Sequence, residues 1–296
     1  MGEISMKRSL IIIATIGVLF IFCAAEESTR PLYLELTECA ECNYYHSVRD
    51  NLFPIFIALA KMERHRTFKQ NTFYCNKYPF KPEVFRTISN NTIRVKHYDP
   101  ETMDKLYFGD TQEAQKYFSL FLAQLHERFN VTYKTANRHR FTVTLVQRHS
   151  TRRYIKNFEQ ACKDLKKYCD KKQYHFNAVF LEQSSFHDQL QLAANTDVFI
   201  VVHGAAATNA AFIRKNGFVV ELIPYNFKNN FFRDMIHTCR PDIRYHAWQL
   251  QKEDCSGTTF LPHQKKIQYR YWRDQAVNIN TQQLIFLLDR FKHSLI

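Results

Sequence analysis

Three segments of this 296-residue chain place polar side chains directly after an apolar run that is typical of a buried strand. The first, "FTVTLVQR", leads into Arg148, Arg152 and Arg153. Guanidinium groups suit phosphate oxygens, because each offers a planar fork of N–H donors. The pattern predicts either a phosphate-binding loop, with Asn157 at the start of the next helix taking part, or a solvated basic loop.

The second segment, "DVFIVVHGAAA", ends its apolar run at His203 and Gly204 and continues as a predicted helix from Ala205. The first turn of a helix carries unsatisfied N–H groups and a partial positive charge, which attract a pyrophosphate. Gly204 allows a tight turn, and the small Ala205 side chain allows close approach to the backbone. The segment predicts a diphosphate site, although a lone histidine at a strand end, such as His203, more often has a structural role.

The third segment, "FVVELIP", places Glu221 inside a strand that we expect to be buried. A buried carboxylate is costly unless it has a partner. That partner is either a pair of ribose hydroxyls, as in other nucleotide-binding α/β sheets, or a neighbouring arginine. Together the three segments predict a nucleotide site, with arginines and a helix start for the diphosphate and a carboxylate for the ribose.

Strands and helices alternate from residue 141 to residue 224, which predicts an α/β fold with a parallel sheet. The predicted strands and helices are, in order, 141–148, 158–172, 175–182, 185–196, 197–203, 205–215 and 218–224. Ligands of such sheets bind beyond the carboxyl ends of the strands, where all three polar segments lie. Upstream, the sequence predicts a strand at Arg30–Glu38 and a helix at Thr111–Val131. We therefore expect an N-terminal domain at 26–135 and a C-terminal domain at 136–296, and the predicted nucleotide site lies in the second of these.

Residues 1–25 predict a signal anchor or a signal peptide, because a basic pair precedes the apolar run 9–25. Both alternatives send the rest of the chain into the secretory lumen, since the positive flank stays in the cytosol. Sequons for N-glycosylation at Asn90 and Asn130 agree with that destination. We expect a type II single-pass membrane protein of the endoplasmic reticulum or Golgi, or a protein secreted after cleavage.

The chain is basic, with 41 Lys and Arg against 28 Asp and Glu and a formal charge of +13. This surplus favours an anionic partner. A nucleic acid is disfavoured, because no nucleic-acid-binding motif is present and the expected compartment is lumenal. The GxGxxG fingerprint of dinucleotide-binding proteins and a DxD carboxylate pair are both absent from the sequence. We therefore expect neither a nicotinamide cofactor nor a required metal ion.

Three stretches in the same order resemble the family 61 glycosyltransferases: "NYYHSVRDNLFPIF", "RHSTRRYIKN" and the long segment from "SFHDQLQLAANTDVF" through "HGAAATNAAF" to "VVELIPY". The resemblance implies a GT-B fold, in which two Rossmann-like domains face a cleft. It also implies that the C-terminal domain at 136–296 binds the nucleotide sugar and that the N-terminal domain at 26–135 lies on the acceptor side. The N-terminal half is short for such a domain, so we expect an abbreviated one.

The same resemblance implies an inverting transferase that moves a sugar, N-acetylglucosamine from UDP-N-acetylglucosamine or else a pentose, onto a glycoprotein acceptor. The acceptor would be an O-mannose or a Ser or Thr hydroxyl. His46 and Asp50 lie four residues apart and could act as base and orienting group, or as a structural clamp at a helix start. The alternative function is that of a catalytically inactive lumenal protein that keeps the fold and binds glycans or polyanions.

Overall fold

The computed structural model of the chain describes residues 10–15, 18–21, 32–35, 73–75, 94–95, 111–133, 141–256 and 265–293. By its internal contacts the chain divides into two compact units, Met1–Asn130 and Val131–Ile296. Each unit contains a five-stranded sheet of its own.

The sheet of the first unit has the strand order β2-β1-β3-β4-β5. Its strands are β1 (Leu10–Thr15), β2 (Val18–Ile21), β3 (Leu32–Glu35), β4 (Phe73–Cys75) and β5 (Arg94–Val95). β1 and β2 are antiparallel, whereas the other neighbours pair in parallel. β3 lies within the predicted strand Arg30–Glu38, and helix α1 (Thr111–Arg128) confirms the predicted helix apart from its last residues. The buried face of α1 carries Phe118, Phe121 and Leu125.

Strands β1 and β2 occupy the apolar segment in which the sequence predicts the core of a signal peptide or the helix of an anchor. They pair in register, with Thr15 opposite Val18. The isoleucine, valine and phenylalanine residues of this segment favour extended backbone as well as apolar surroundings. Within the described part of the chain, no helix is both long enough and apolar enough to cross a bilayer.

The sheet of the second unit is entirely parallel, as the sequence predicts, with the strand order β10-β9-β8-β6-β7. The strands are β6 (Thr142–Gln147), β7 (His175–Phe180), β8 (Val198–Val202), β9 (Phe218–Ile223) and β10 (Arg244–Gln249). The three central strands are buried along their whole length, and the two edge strands alternate between more and less exposed residues. An α/β fold is therefore confirmed for this unit, while the two-domain GT-B arrangement stays a prediction.

The strand order reverses between β6 and β8, because the chain first moves outward to β7 and then returns past β6 to build the other half of the sheet. Such a switch point opens a crevice at the carboxyl ends of the two strands, since their following loops depart in opposite directions. Arg148 follows β6 and His203 follows β8. Two of the three predicted polar segments thus begin at the switch point.

Two helices of this unit form where the sequence predicts them, for local reasons that the structure makes visible. Helix α2 (Phe158–Lys172) buries Ala161, Leu165, Tyr168 and Cys169, which recur at helical spacing. It ends at Gln173, whose backbone is left-handed. Helix α3 (Phe186–Ala194) begins at the predicted N-cap Ser185, whose Oγ accepts a hydrogen bond from the Asp188 amide at 3.1 Å.

Residues beyond 224 add elements for which the sequence offers no prediction except a final helix. These elements are α4 (Phe231–Cys239), β10, a short 3₁₀ turn at Lys252–Asp254, β11 (Cys255–Ser256), α5 (Lys265–Arg273) and β12 (Ala276–Val277). The final helix, α6 (Thr281–His293), lies within the predicted Asn280–Ile296 and buries Leu284, Leu288 and Phe291 in the core. Three described cysteines, Cys162, Cys169 and Cys255, are free thiols in the structure.

Candidate functional site

The guanidinium groups of Arg148 and Arg153 lie directly over Gly204, at the carboxyl ends of β6 and β8. A Cβ atom added at Gly204 would overlap Arg148 Nη1 and would lie 3.2 Å from Arg153 Nη1. Gly204 also has a φ of +154° and a ψ of −179°, a conformation that is essentially restricted to glycine. The glycine is therefore required both by its own backbone and by the two arginines above it.

Gln147, the last residue of β6, shapes the loop that carries these arginines. Its buried side chain accepts hydrogen bonds from the amides of Arg148 (3.0 Å) and Ile155 (2.9 Å) and donates one to the Ile155 carbonyl (2.9 Å). These hydrogen bonds join the two ends of the loop, at Arg148 and Ile155. A parallel bridge between Ile155 and Val277 of β12 holds the loop from the other side.

Acidic side chains balance the arginines only in part. Asp274 pairs with Arg273 at 2.7 Å, with Arg153 at 3.4 Å and with Arg152 at 3.6 Å. Although burial acts against it, the hydrogen bond from Arg273 and the charges of all three guanidinium groups hold the pKa of Asp274 below its ordinary value. The carboxylate is therefore ionised at neutral pH.

We call Arg148, Arg152, Arg153 and Arg273 the arginine cluster. Its two inner members lack hydrogen-bond acceptors for several buried atoms. Among the described residues, none accepts a hydrogen bond from Arg148 Nε, Arg148 Nη1 or Arg153 Nε, although Glu182 lies 3.8 Å from Arg148 Nε. Burial, followed by the charges of Arg148 and Arg273, lowers the pKa of Arg153 to about 10. Burial likewise lowers the pKa of Arg148. Both groups still carry their charge at neutral pH. An anion placed among them would supply the missing acceptors and offset the repulsion.

His203 and Glu221 form a buried pair, with His203 Nδ1 and Glu221 Oε1 2.7 Å apart. The side chains are only 6% and 1% exposed, respectively. The imidazole also packs against Phe227 and Phe232, with ring centroids at 4.7 and 5.2 Å. Within the protein, the partner of the buried carboxylate is thus this histidine rather than an arginine. A contact between Glu221 and ribose hydroxyls stays a prediction.

Tyr245 of β10 lies next to the same carboxylate. Burial and then the charge of Glu221 raise the pKa of the Tyr245 hydroxyl well above its ordinary value, so it stays protonated. His203, Glu221 and Tyr245 together form a polar group inside the end of the sheet. Its place directly before Gly204 indicates that it fixes the backbone on which the arginines rest.

Asn157 has a partner that the sequence does not reveal. Its Nδ2 donates to the carbonyl of Ile279 at 2.8 Å, and its Oδ1 accepts from the Ile279 amide at 2.9 Å. The side chain thereby ties the start of α2 to the segment that follows β12. A contact between Asn157 and a nucleotide stays a prediction beside this structural role.

The segment after Gly204 differs from the predicted helix 205–215. It is a 3₁₀ helix at Ala205–Phe212, in which the Ala207 amide donates to the Gly204 carbonyl at 2.8 Å. Its last six residues are all buried, so the tighter winding packs small side chains against protein on every side. Ala205, the first residue, remains partly exposed beside the arginine cluster. His46 and Asp50 lie outside the described residues.

A separate cavity of about 370 Å³ opens at the other end of the second unit's sheet. Thr142 and His175, which begin β6 and β7, line it together with Gln191 and Asn195 of the α3 region. Both amide side chains are already engaged, since they donate to the Thr132 carbonyl. Ligands of open parallel sheets bind at the carboxyl ends of the strands, and this cavity lies at the amino ends. We therefore place the candidate site at the arginine cluster.

Gln147, Arg273 and Asp274 belong to the site but are missed by sequence reasoning. Gln147 reads as an ordinary strand residue, because only the fold shows that its side chain closes a loop. Arg273 and Asp274 lie more than a hundred residues from Arg153, and no pattern within either segment signals the contact. Arg148, Arg153 and Gly204, in contrast, lie together as expected.

Comparison with known proteins identifies the family to which the chain belongs. A model of the family "Glycosyltransferase 61" matches residues 44–220, which include both arginines, His203 and Gly204. Protein O-linked-mannose beta-1,4-N-acetylglucosaminyltransferase 2 of Xenopus laevis is 30% identical over 79 residues, which are 26% of this chain and 14% of the relative. Because the family match covers more than half of the 296 residues, the chain belongs to the glycosyltransferase 61 family.

Proposed function

We propose that the protein is an inverting glycosyltransferase that takes a sugar from a UDP-sugar and attaches it to a glycoprotein hydroxyl. The observation that carries the proposal is the pair of partly buried, incompletely bonded guanidinium groups of Arg148 and Arg153 over Gly204. A diphosphate is the donor feature that this arrangement suits best. It carries two charges and several acceptor oxygens within the reach of two adjacent arginines.

In the proposed reaction one bond forms and one bond breaks at the anomeric carbon, and one proton moves to a base. The acceptor oxygen bonds to the anomeric carbon while the bond from that carbon to the diphosphate oxygen breaks, and UDP leaves with the electron pair. Arg148 and Arg153 would offset the charge that develops on the leaving oxygen, a contribution that grows toward the transition state. The acceptor proton passes to a base, for which His46 with Asp50 is our candidate.

In this proposal a metal ion is not required. The arginine cluster and the backbone amide of the partly exposed Ala205 would bind the diphosphate and offset its charge. His203 and Glu221 would support that backbone from below. A direct contact of Glu221 with the ribose would need the pair to open. Asn157 would contact the nucleotide while its side-chain amide stays hydrogen-bonded to the Ile279 backbone.

For the donor sugar we propose N-acetylglucosamine, and for the acceptor an O-linked mannose or a Ser or Thr hydroxyl on a glycoprotein. The name of the Xenopus laevis relative, an N-acetylglucosaminyltransferase for protein O-linked mannose, supports this choice. The shared segment is short, so other UDP-sugars, including pentose donors, belong in any donor screen. We propose the lumen of the endoplasmic reticulum or Golgi, supported by the basic, then apolar N-terminal sequence and by the exposed sequon residue Asn130. Attachment to the membrane through residues 1–25 is part of the same proposal.

The test replaces Arg148 or Arg153 by glutamine in the full chain and measures UDP binding by calorimetry and sugar transfer from UDP-N-acetylglucosamine. We expect each change to weaken UDP binding about tenfold or more, because a hydrogen bond to a charged group contributes about 1.5–3 kcal/mol. Arg233→Gln is the matched control, since Arg233 pairs with Asp234 on the surface of α4 and lies outside the arginine cluster.

The same measurements separate the proposal from its main competitor. If the intact protein binds heparin but gains no thermal stability from UDP, it is a polyanion-binding protein that has kept the fold. UDP affinity that is unchanged in both arginine variants would refute the site. The double variant His46→Ala, Asp50→Ala tests the base separately, because it should lose transfer while keeping UDP binding.

A further inference from the structure

Four aromatic side chains pack in two edge-on pairs between the end of β9 and helix α5, and a fifth residue, Phe231, is joined to them through Asn229. The α5 aromatic cluster consists of Tyr225, Phe227, Phe231, Tyr269 and Trp272. Tyr269 meets Phe227 edge-on with ring centroids 5.1 Å apart, and Trp272 meets Tyr225 at 5.8 Å. Phe227 is buried and forms the base of the cluster.

Two rings of the cluster remain open to solvent. Phe231 is 60% exposed and Tyr269 is 43% exposed, which is unusual for large aromatic residues beside a candidate site. Asn229 lies between them: its Nδ2 donates to the Tyr269 hydroxyl at 3.1 Å, and its Oδ1 accepts from the Phe231 amide at 2.8 Å. These bonds fix the Tyr269 ring through its hydroxyl and the Phe231 backbone through its amide, while both rings keep much of their surface exposed.

The α5 aromatic cluster lies directly beside the arginine cluster. Arg273 follows Tyr269 by one helical turn, a distance of about 5–6 Å between neighbouring side chains on one helix face. The hydrogen bond to Asp274 is the main reason that the pKa of Arg273 is raised, and the Tyr269 hydroxyl adds to it, so the phenol and the guanidinium are close. On the other side, Phe227 contacts His203, which precedes Gly204.

We propose that Tyr269 and Phe231 form the subsite for the nucleobase of the donor. The proposal rests on the proposed function, because it assumes that a diphosphate occupies the arginine cluster. A nucleoside diphosphate carries a flat aromatic ring one ribose away from its phosphates. The exposed rings of Tyr269 on α5 and Phe231 at the start of α4 lie next to Arg273 at the end of α5, so the protein presents the same two chemistries side by side.

Stacking explains why the rings stay uncovered. A base stacked on an exposed aromatic side chain contributes substantially to nucleotide binding and needs only a free ring face. A pyranose ring also packs on aromatic faces, but nothing in a free sugar would require the adjacent cluster of arginines. A nucleoside diphosphate therefore uses both surfaces at once, with its base on the aromatic rings and its diphosphate at the arginine cluster.

The experiment measures the dissociation constants of UDP and of inorganic pyrophosphate for the full chain by calorimetry. In Tyr269→Ala we expect UDP binding to weaken about tenfold, while pyrophosphate binding changes by less than about twofold. Tyr269→Phe keeps the ring and should bind UDP nearly as the intact protein does. Phe231→Ala, whose ring is the more exposed of the two, provides a second test that does not depend on the packing of Tyr269. Phe286→Ala, an equally exposed aromatic residue on α6, is the matched control.

The outcomes separate this inference from the proposed function. If the intact protein binds neither ligand, both proposals are wrong. If it binds UDP no better than pyrophosphate, or if Tyr269→Ala leaves UDP affinity unchanged, the anion site stands and the base subsite is wrong. Equal weakening of both ligands would give Tyr269 a role in positioning Arg273 and overturn the stacking role. Methyl mannoside is titrated as a third ligand. If Tyr269→Ala loses methyl mannoside binding while UDP binding is unchanged, the rings bind a sugar and the stacking role is overturned.

Discussion

Arg148 and Arg153 lie where burial has removed water from their N–H groups and where their charges repel each other. Asp274 relieves only part of this cost, because it is shared with Arg152 and Arg273. A protein keeps such an arrangement at the expense of stability, and the usual compensation is a ligand of opposite charge. At the scale of single residues, the site is therefore recognised by the buried arginine nitrogen atoms that have no hydrogen-bond acceptor among the described residues.

Gly204→Ala tests how closely these residues fit. The new Cβ would overlap Arg148 Nη1, and the φ of +154° would be strained for any residue with a side chain. We expect a loss of about 1–3 kcal/mol in the free energy of unfolding, together with weaker UDP binding as Arg148 is displaced.

Gly217→Ala is the control for this change. A Cβ atom there would lie 2.9 Å from the Arg214 carbonyl oxygen. The free energy of unfolding should therefore fall without any effect on the arginine cluster. Denaturant unfolding and UDP titration of both variants give the two quantities separately. Equal UDP affinity in the intact protein and in Gly204→Ala would show that the overlap is relieved without moving the site.

At the scale of elements, the loop between β6 and α2 is an ordered part of the site. Gln147 binds both ends of it through three hydrogen bonds, and β12 holds it through Ile155. Asn157 attaches the start of α2 to Ile279 in the same manner. Segments that are distant in sequence thus hold a loop that would otherwise be a flexible basic stretch.

Replacing Gln147 by alanine should loosen this loop. Three hydrogen bonds are lost, two of them buried, and backbone groups of Arg148 and Ile155 are left without partners. We expect this to cost about 1–3 kcal/mol in the free energy of unfolding. UDP affinity should fall as well, because the arginines lose their fixed position.

Gln160→Ala provides the comparison for Gln147→Ala, since Gln160 only bridges to Asp164 on the exposed face of α2. We expect it to change the free energy of unfolding by less than about 0.5 kcal/mol. Chemical denaturation followed by circular dichroism measures both. A Gln147→Ala protein as stable as the Gln160→Ala protein would contradict the role of Gln147 in closing the loop.

At the scale of the whole molecule, the second unit, Val131–Ile296, contains a complete parallel sheet together with every described residue of the candidate site. The proposed base residues, His46 and Asp50, belong to the other unit. Under the proposal, donor binding is a property of the second unit by itself.

We expect a chain that begins at Val131 to fold in a cooperative transition, because the unit has its own buried core. It should bind UDP within about threefold of the intact protein, a difference below about 1 kcal/mol, and should transfer no sugar. Thermal unfolding, UDP titration and a transfer assay on both proteins measure this. Transfer by the shorter chain would place the base in the second unit and exclude His46 and Asp50.

The sequence by itself determined the parallel sheet, the order of its elements from 141 to 224, the N-cap at Ser185 and the placement of Arg148 and Gly204 at strand ends. These features depend on local periodicity, capping and the direction of each strand, all of which are encoded within a few neighbouring residues. The α/β class and the family follow from the same local patterns.

Only the tertiary structure decided which polar groups are partners. It paired Glu221 with His203, gave Asn157 to Ile279, brought Asp274 to Arg153 and wound residues 205–212 as a 3₁₀ helix. Each of these outcomes depends on the distance between atoms that are far apart along the chain, or on the space left by neighbouring elements. Such quantities have no local signature, because burial and contact exist only once the sheet has brought its strand ends together.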